Sequence, residues 1–331
     1  MYNIENCHLG YIMHKEKWLY VLTGLICPFI ELDFTFLEKT NDKLKGLNKK
    51  LQNIVVNKRK IEISRVFVIE DRKKKSCCLN GNFNPRYLLK IEDGIRDDDF
   101  AQDLVDTVML SVAIKNEMYL DDNPLAIPVE SSLYKDGTIK IESLIGSRGI
   151  NSQEYYALGE GIGLPKEILD YIWQTVPVIF ENQYITDAVS FYLESIKSTW
   201  ICDEDIDEIR LDGFDMSPSP FDKASIETSY QNAFKAIEAI IGEPPDDLVK
   251  LKNKLEQAGI NPENLVGLYE LNSNDKKLIE KIVDMQKIRN KKAAHGKTLK
   301  AGRNIGYYEL KDKQALSRYI ILSHIQSKMN E

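Results

Sequence analysis

Hydrophobic positions follow two different rhythms along the chain. Before about residue 150 they alternate or gather in short runs; from Leu164 onward they recur every three or four residues. In the first stretch, Ile30-Glu31-Leu32-Asp33-Phe34-Thr35-Phe36 alternates as a half-buried strand does. Val66-Phe67-Val68-Ile69, closing the segment Ile61 to Ile69, and the run Tyr87 to Ile91 favour strands. Asn80-Gly81 and Asn84-Pro85 between them mark turns. The run from Trp18 to Ile30 contains Gly24 and Pro28 and is shorter than the roughly 20 residues that cross a bilayer. It predicts core strands or a short buried helix. Lys39 to Lys50 is polar and lysine-rich, which suits a solvated helix or loop. A helix is expected from Asp98 to about Met118. Acidic residues Asp97, Asp98 and Asp99 favour its positive end, and Leu104, Val108, Ser111 and Val112 line one side. Asp136-Gly137, between Ser132–Lys135 and Thr138–Ile141, is a two-residue hairpin signal. Residues 1–150 therefore predict a mixed α+β domain whose pattern suggests no particular family.

The second stretch predicts helices. Ile168, Leu169, Ile172 and Trp173 form one stripe, expected to break or kink at Pro177. Ile185, Val189, Tyr192, Leu193 and Ile196 form another, reaching Trp200, beyond which an acidic loop is expected at Asp203 to Asp207. Residues 151–216 are thus expected to be a helical connector that can pack on the C-terminal helices. Met216-Ser217-Pro218-Ser219-Pro220 reads as a joint, and residues 217–331 as a last compact unit. Its first helix, about Ala224–Ile241, places Ile226, Tyr230, Phe234, Ile237 and Ile241 on one face. Its second, about Asp246 to Ala258, turns Leu248, Leu251 and Leu255 inward and stops before Gly259. A third runs from about Asp275 into Lys287–Gly296, and a fourth covers about Lys313–Lys328, with Leu316, Tyr319, Ile320 and Ser323 on one side. Short connections favour an antiparallel four-helix bundle. The predicted class is an α+β N-terminal part followed by a mostly α C-terminal part.

Composition narrows the classes. The chain has 331 residues, 43% of them hydrophobic and 29% charged, as an ordinary folded protein does. A net charge of −7 argues against indiscriminate binding to nucleic acid or membranes by the whole protein. Its five cysteines form no metal-ligand spacing, and the N-terminus lacks the order of a secretory signal, so a reducing cytoplasmic setting is expected with no metal or cofactor. Gly159-Glu160-Gly161-Ile162-Gly163 lacks the preceding strand and following Lys-Ser or Lys-Thr of a phosphate loop and is expected to be a connector. Asp97-Asp98-Asp99 and Asp121-Asp122 do not make a metal nuclease, because consecutive carboxylates point in different directions.

The chemistry concentrates in Lys287-Ile288-Arg289-Asn290-Lys291-Lys292-Ala293-Ala294-His295-Gly296. On a wheel of about 100° per residue, Arg289 falls at the centre of the stripe of Leu278, Ile282, Met285 and Ala293, in the middle of the expected buried face. A guanidinium there needs a specific partner, a subunit interface or a ligand phosphate. His295 falls about 120° away from Arg289 on a straight helix. The pair therefore demands a broken helix, convergence at an edge, or two copies of the chain. Gly296 suits the position that ends the helix. Residues 281–303 carry eight basic side chains and one acid, Asp284, a net of +7 in an acidic protein. Such a patch fits a polyanion, and Lys287, Lys291, Lys292, Lys297, Lys300 and Arg303 are the expected RNA-binding groups. Tyr307-Tyr308, just beyond, could stack a base.

Arg289-Asn290-x4-His295, followed by Gly296 and set late in a helical bundle, resembles the motif of HEPN domains. The segment Phe234-Lys235-Ala236-Ile237-Glu238 is similar to the first helix of that bundle. The resemblance covers about residues 217–331. It implies metal-independent RNA cleavage at a composite site in a homodimer, the ribose 2′-OH attacking its own phosphate. It further implies His295 as general acid/base, Arg289 as the stabiliser of phosphate charge, and Asn290 as an orienting group. Members of the family occur in toxin–antitoxin, antiphage and RNA-processing systems, where a sensor or antitoxin partner is expected; some lack the motif and only bind.

Overall fold

A computed structural model describes residues 12–22, 25–26, 49–67, 69–70, 85–92, 95, 97–116, 126–134, 139–144, 162–163, 166–211, 220–264, 276–290 and 307–331. Strands come first: β1 (Ile12–Leu22), β2 (Leu25–Ile26), β3 (Lys49–Val56), β4 (Arg59–Phe67), β5 (Ile69–Glu70) and β6 (Pro85–Ile91). Helix α1 (Asp98–Asn116) precedes β7 (Ala126–Tyr134), β8 (Ile139–Leu144) and β9 (Ile162–Gly163). Six helices complete the described elements: α2 (Lys166–Glu181), α3 (Gln183–Leu211), α4 (Pro220–Ile241), α5 (Leu248–Gln257), α6 (Leu278–Ile288) and α7 (Tyr307–Met329). The chain divides into one unit of Met1–Met109 with Leu120–Glu181 and another of Leu110–Tyr119 with Asn182–Glu331. The division at Glu181/Asn182 falls inside the stretch 151–216 expected as a connector, and α3 belongs to the second unit.

In the first unit seven strands form one sheet in the order β3-β4-β6-β1-β7-β8-β5, and β2 pairs in parallel with β9. Ile54 faces Ile61, which faces Ile91, and Ile63 faces Leu89. These side chains are buried while Asn53 and Val55 between them are exposed, so this antiparallel surface has one dry face. The β3–β4 connection is a two-residue turn in which Asn57 (φ 48°) and Lys58 (φ 63°) both take positive φ, matching the twist of the strands. Glu181, ending α2, accepts the Asn57 amide at 2.9 Å. Asp97 starts α1 as its N-cap: one carboxylate oxygen accepts the Phe100 amide at 3.0 Å, and the other meets Arg59 Nη1 at 2.7 Å.

Three expectations change here. Pro177 does not end its helix, because α2 continues through it to Glu181 and Asn182 separates it from α3. The acidic stretch Asp203 to Asp207 is helical, inside α3 rather than a loop. Leu248 is exposed, because it opens α5 before the helix reaches its packing partners, whereas Leu251 and Leu255 are buried. The strand expected at Ile30–Phe36, the turns at Asn80-Gly81 and Asp136-Gly137, and Lys39–Asn48 lie outside the described residues. The strands on either side of Asp136-Gly137 do pair as antiparallel neighbours, β7 with β8.

The second unit is helical. Ile226, Tyr230, Phe234, Ile237 and Ile241 of α4 are all buried, in one cluster with Leu251 and Leu255 of α5. Leu278, Ile282 and Met285 of α6 and Leu310, Leu316 and Ile320 of α7 complete it. Each fully buried aliphatic or aromatic side chain contributes about 1.5–3 kcal/mol over leaving it exposed. Helix α3 packs on α4 and α7. It runs antiparallel to α7, since Tyr184 meets His324 and Ser195 meets Gln314. Gly259 (φ +71°) ends α5 in a left-handed turn so close to α7 that a β-carbon there would overlap the Ser327 hydroxyl. Next to it, the carbonyl of Ala258 can only accept, so His324 Nδ1 donates to it at 2.7 Å and the neutral ring's Nε2 takes the Tyr184 hydroxyl at 3.1 Å. Burial holds the His324 pKa below its ordinary value. His324 is a tie between helices.

Candidate active site

The C-terminal end of α6 carries Arg289 and Asn290, and the helical backbone continues through both in a wider turn. Arg289 keeps helical angles (φ −53°, ψ −51°), and its amide is shared between the Gln286 and Met285 carbonyls. The Tyr230 hydroxyl of α4 also donates to the Met285 carbonyl at 3.2 Å. Burial, reinforced by Glu309 and Asp284, pushes the Tyr230 pKa up, so the phenol stays a donor. A widened turn advances each residue less than 100° around the axis. The straight-helix wheel therefore stops describing the chain at Asn290, and His295 cannot be positioned by extending it.

Arg289, expected in the middle of the buried face, is instead half-buried at 31% exposure, at the widened end of the helix. Its guanidinium carbon stands 4.8 Å from the centre of the Phe234 ring, and its Nη1 lies 3.5 Å from Glu238 Oε1. Phe234 and Glu238 are four residues apart on α4, hence neighbours on one face of that helix. The partner demanded by an arginine on this face is thus supplied, at least in part, within the chain. Burial raises the Glu238 pKa; Arg289 pulls it down, Glu243 adds to the rise and Lys235 opposes it. Gln286, three residues before Arg289, donates to the Pro244 carbonyl at 2.8 Å and fixes the loop after α4 against this turn.

Of the expected RNA-binding groups, Lys287 is exposed and lies 3.9 Å from Asp284, which also takes Lys276 at 3.0 Å. Lys281, part of the local positive charge in the sequence, is buried. Asn290 is exposed. His295, Lys291, Lys292, Lys297, Lys300 and Arg303 lie outside the described residues. Tyr307 and Tyr308 open α7. The structure adds Phe234 and Glu238 to the site. Their four-residue spacing is visible in the sequence, but nothing there ties it to Arg289. Among the described residues no helix is long and apolar enough to cross a membrane. Comparison of the chain with family models, curated proteins and solved structures finds no match.

Proposed function

We propose that this protein is a metal-independent endoribonuclease of HEPN type, with the helical unit as a four-helix HEPN-like bundle and its site completed by a second copy of the chain. The observation that carries the reading is Arg289 at the end of α6, held on Phe234 with one nitrogen toward Glu238. A guanidinium has five donors in a rigid fork. Among the described contacts only Nη1 is engaged, so the remaining edge suits two phosphate oxygens. In this mechanism His295 of one copy takes the proton from the ribose 2′-OH as that oxygen attacks the adjacent phosphorus. A conjugate acid, from His295 of either copy, protonates the departing 5′ oxygen, leaving a cyclic phosphate. Arg289 binds charge that grows on the phosphate oxygens, and Asn290 orients the phosphate or the histidine. Lys287, Lys291, Lys292, Lys297, Lys300 and Arg303 guide the RNA backbone. The biological setting that fits is a cytoplasmic toxin or antiphage effector whose N-terminal α+β half senses a trigger or positions RNA.

The pairing of Arg289 with Glu238 inside one chain favours a second reading, a non-catalytic HEPN module that binds RNA, dimerises or adapts another protein. Labelled RNA incubated with pure protein in EDTA separates the two. The nuclease reading expects cleavage that falls by about 10²–10⁴-fold in His295→Ala, a general acid/base loss, while that variant stays folded and dimeric. Undiminished cleavage by His295→Ala would sink the site assignment, and no cleavage by the wild type would favour the binding module.

A further inference from the structure

The contact between Arg289 and Glu238 is lopsided in a way that a purely structural ion pair need not be. At 3.5 Å it is a charge contact longer than an ordinary hydrogen bond, and it engages one terminal nitrogen of the guanidinium. The guanidinium rests over the Phe234 ring, with Cζ 4.8 Å from the ring centre. Ring and carboxylate come from the same face of α4, whose Phe234 is 1% exposed and whose neighbours Tyr230 and Ile237 are fully buried. The platform is therefore rigid, while the guanidinium it carries reaches solvent. One nitrogen is held by Glu238, the guanidinium carbon sits over Phe234, and the other edge is open among the described contacts.

We infer that Glu238 is a positioning residue for Arg289: with Phe234 it orients the guanidinium so that its open edge is presented to a phosphodiester. The inference rests on the reading of Arg289 as the phosphate-stabilising group. Glu238 acts through Arg289 and need not touch the substrate. Because orientation is realised chiefly as charge develops, loss of Glu238 lowers kcat more than it raises KM. The charged groups that act on Glu238 are Arg289 from α6, Lys235 on α4 and Glu243 beyond its end. Protonation of Glu238 at acid pH removes the negative charge that holds Arg289, so the Glu238→Gln variant reproduces in neutral solution the acid form of the wild type.

The test reads the arginine directly as well as the reaction. The Arg289 Nε–H signal of the full-length protein, assigned by its absence from Arg289→Lys, is followed by nitrogen-edited NMR. It is expected to shift in Glu238→Gln, and to shift on acidification of the wild type but not of that variant. Cleavage by Glu238→Gln is expected to fall roughly tenfold to hundredfold in kcat with KM changed by about twofold at most. Glu238→Asp, which keeps the charge on a shorter stem, is expected to recover part of the loss. A folded Glu238→Gln with an unmoved Arg289 signal overturns the inference, and so does a shifted signal with unchanged kcat. A wild type that shows the coupled shift but cleaves no RNA supports the hold on Arg289 and overturns the nuclease reading alone.

Discussion

Two arginines in this protein meet the same kinds of partner, and they meet them differently. In the first unit Arg59 lies 4.4 Å from the centre of the Phe100 ring and 2.7 Å from Asp97. In the second, Arg289 lies 4.8 Å from the Phe234 ring and 3.5 Å from Glu238. Asp97 uses both oxygens, one for Arg59 and one for the first turn of α1, and Phe100 packs edge-on against Phe180 at 5.3 Å. That set ties the start of a helix to a strand. Glu238 sits in the last turn of α4, its burial already disfavours its charge, and its grip on Arg289 is longer. The same ingredients make a closed structural joint in one place and an open, partly occupied guanidinium in the other. The identity of the residues does not separate these cases; distance and the number of engaged oxygens do.

The sharpest way to break this contrast is to remove each arginine. Arg289→Ala is expected to lower cleavage by about 10²–10³-fold, the loss typical of a donor to developing oxyanion charge. Its thermal stability should move by less than about 1 kcal/mol, since the pair is partly exposed. Arg59→Ala should do the reverse: cleavage measured well below the melting temperature stays unchanged, while stability falls by about 1–3 kcal/mol as the charge-assisted bond is lost. Denaturant melts and initial cleavage rates on the wild type, the two single variants and the double variant would show whether the effects are separable. If Arg289→Ala costs stability and spares cleavage, the two arginines are alike and the functional reading of Arg289 fails.

A smaller effect concerns the carboxylates. Burial raises the Glu238 pKa, so the native state holds its proton more tightly than the unfolded chain, and wild-type stability is lost as pH rises through that raised value. Glutamine does not titrate. Glu238→Gln should therefore gain stability relative to wild type on going from acid to neutral pH. Asp97→Asn should instead lose about 1 kcal/mol or more at neutral pH, because it removes the charge paired with Arg59 and favoured at the start of α1, while the amide can still cap the helix. Melting temperatures of both variants across pH measure this. A Glu238→Gln difference that does not change with pH would show that burial does not govern the charge of Glu238.

The residues differ in how much they reveal in sequence. The stripe Ile226, Tyr230, Phe234, Ile237 and Ile241 is legible because its spacing keeps one face of a long helix apolar, and all five are buried. The segment Asp98 onward is legible as a helix from its acidic first turn, and α1 begins there. Leu248 is not, because hydrophobicity says which residues favour burial but not whether a neighbour covers the end of a helix. Nor is the helix over Asp203 to Asp207, where a local excess of acids masks the continuing helical frame. The tight β3–β4 turn at Asn57-Lys58 carries no glycine, so the usual signal of a two-residue hairpin is missing.

At Lys287–Gly296 the division of labour is clearest. The sequence by itself determined that a cation would follow the apolar stripe to the end of a helix, since a period of about 3.6 residues sets direction from spacing until the turn widens. It determined, too, that positive charge would concentrate there. Tertiary structure decided what that cation meets: a ring and a carboxylate from α4, about 50 residues earlier in the chain by the spacing of Glu238 and Arg289. It also widened the helix at Arg289 and Asn290, where the Tyr230 hydroxyl adds a second donor to the Met285 carbonyl. Contacts between distant segments depend on how whole helices pack, and no local period encodes them.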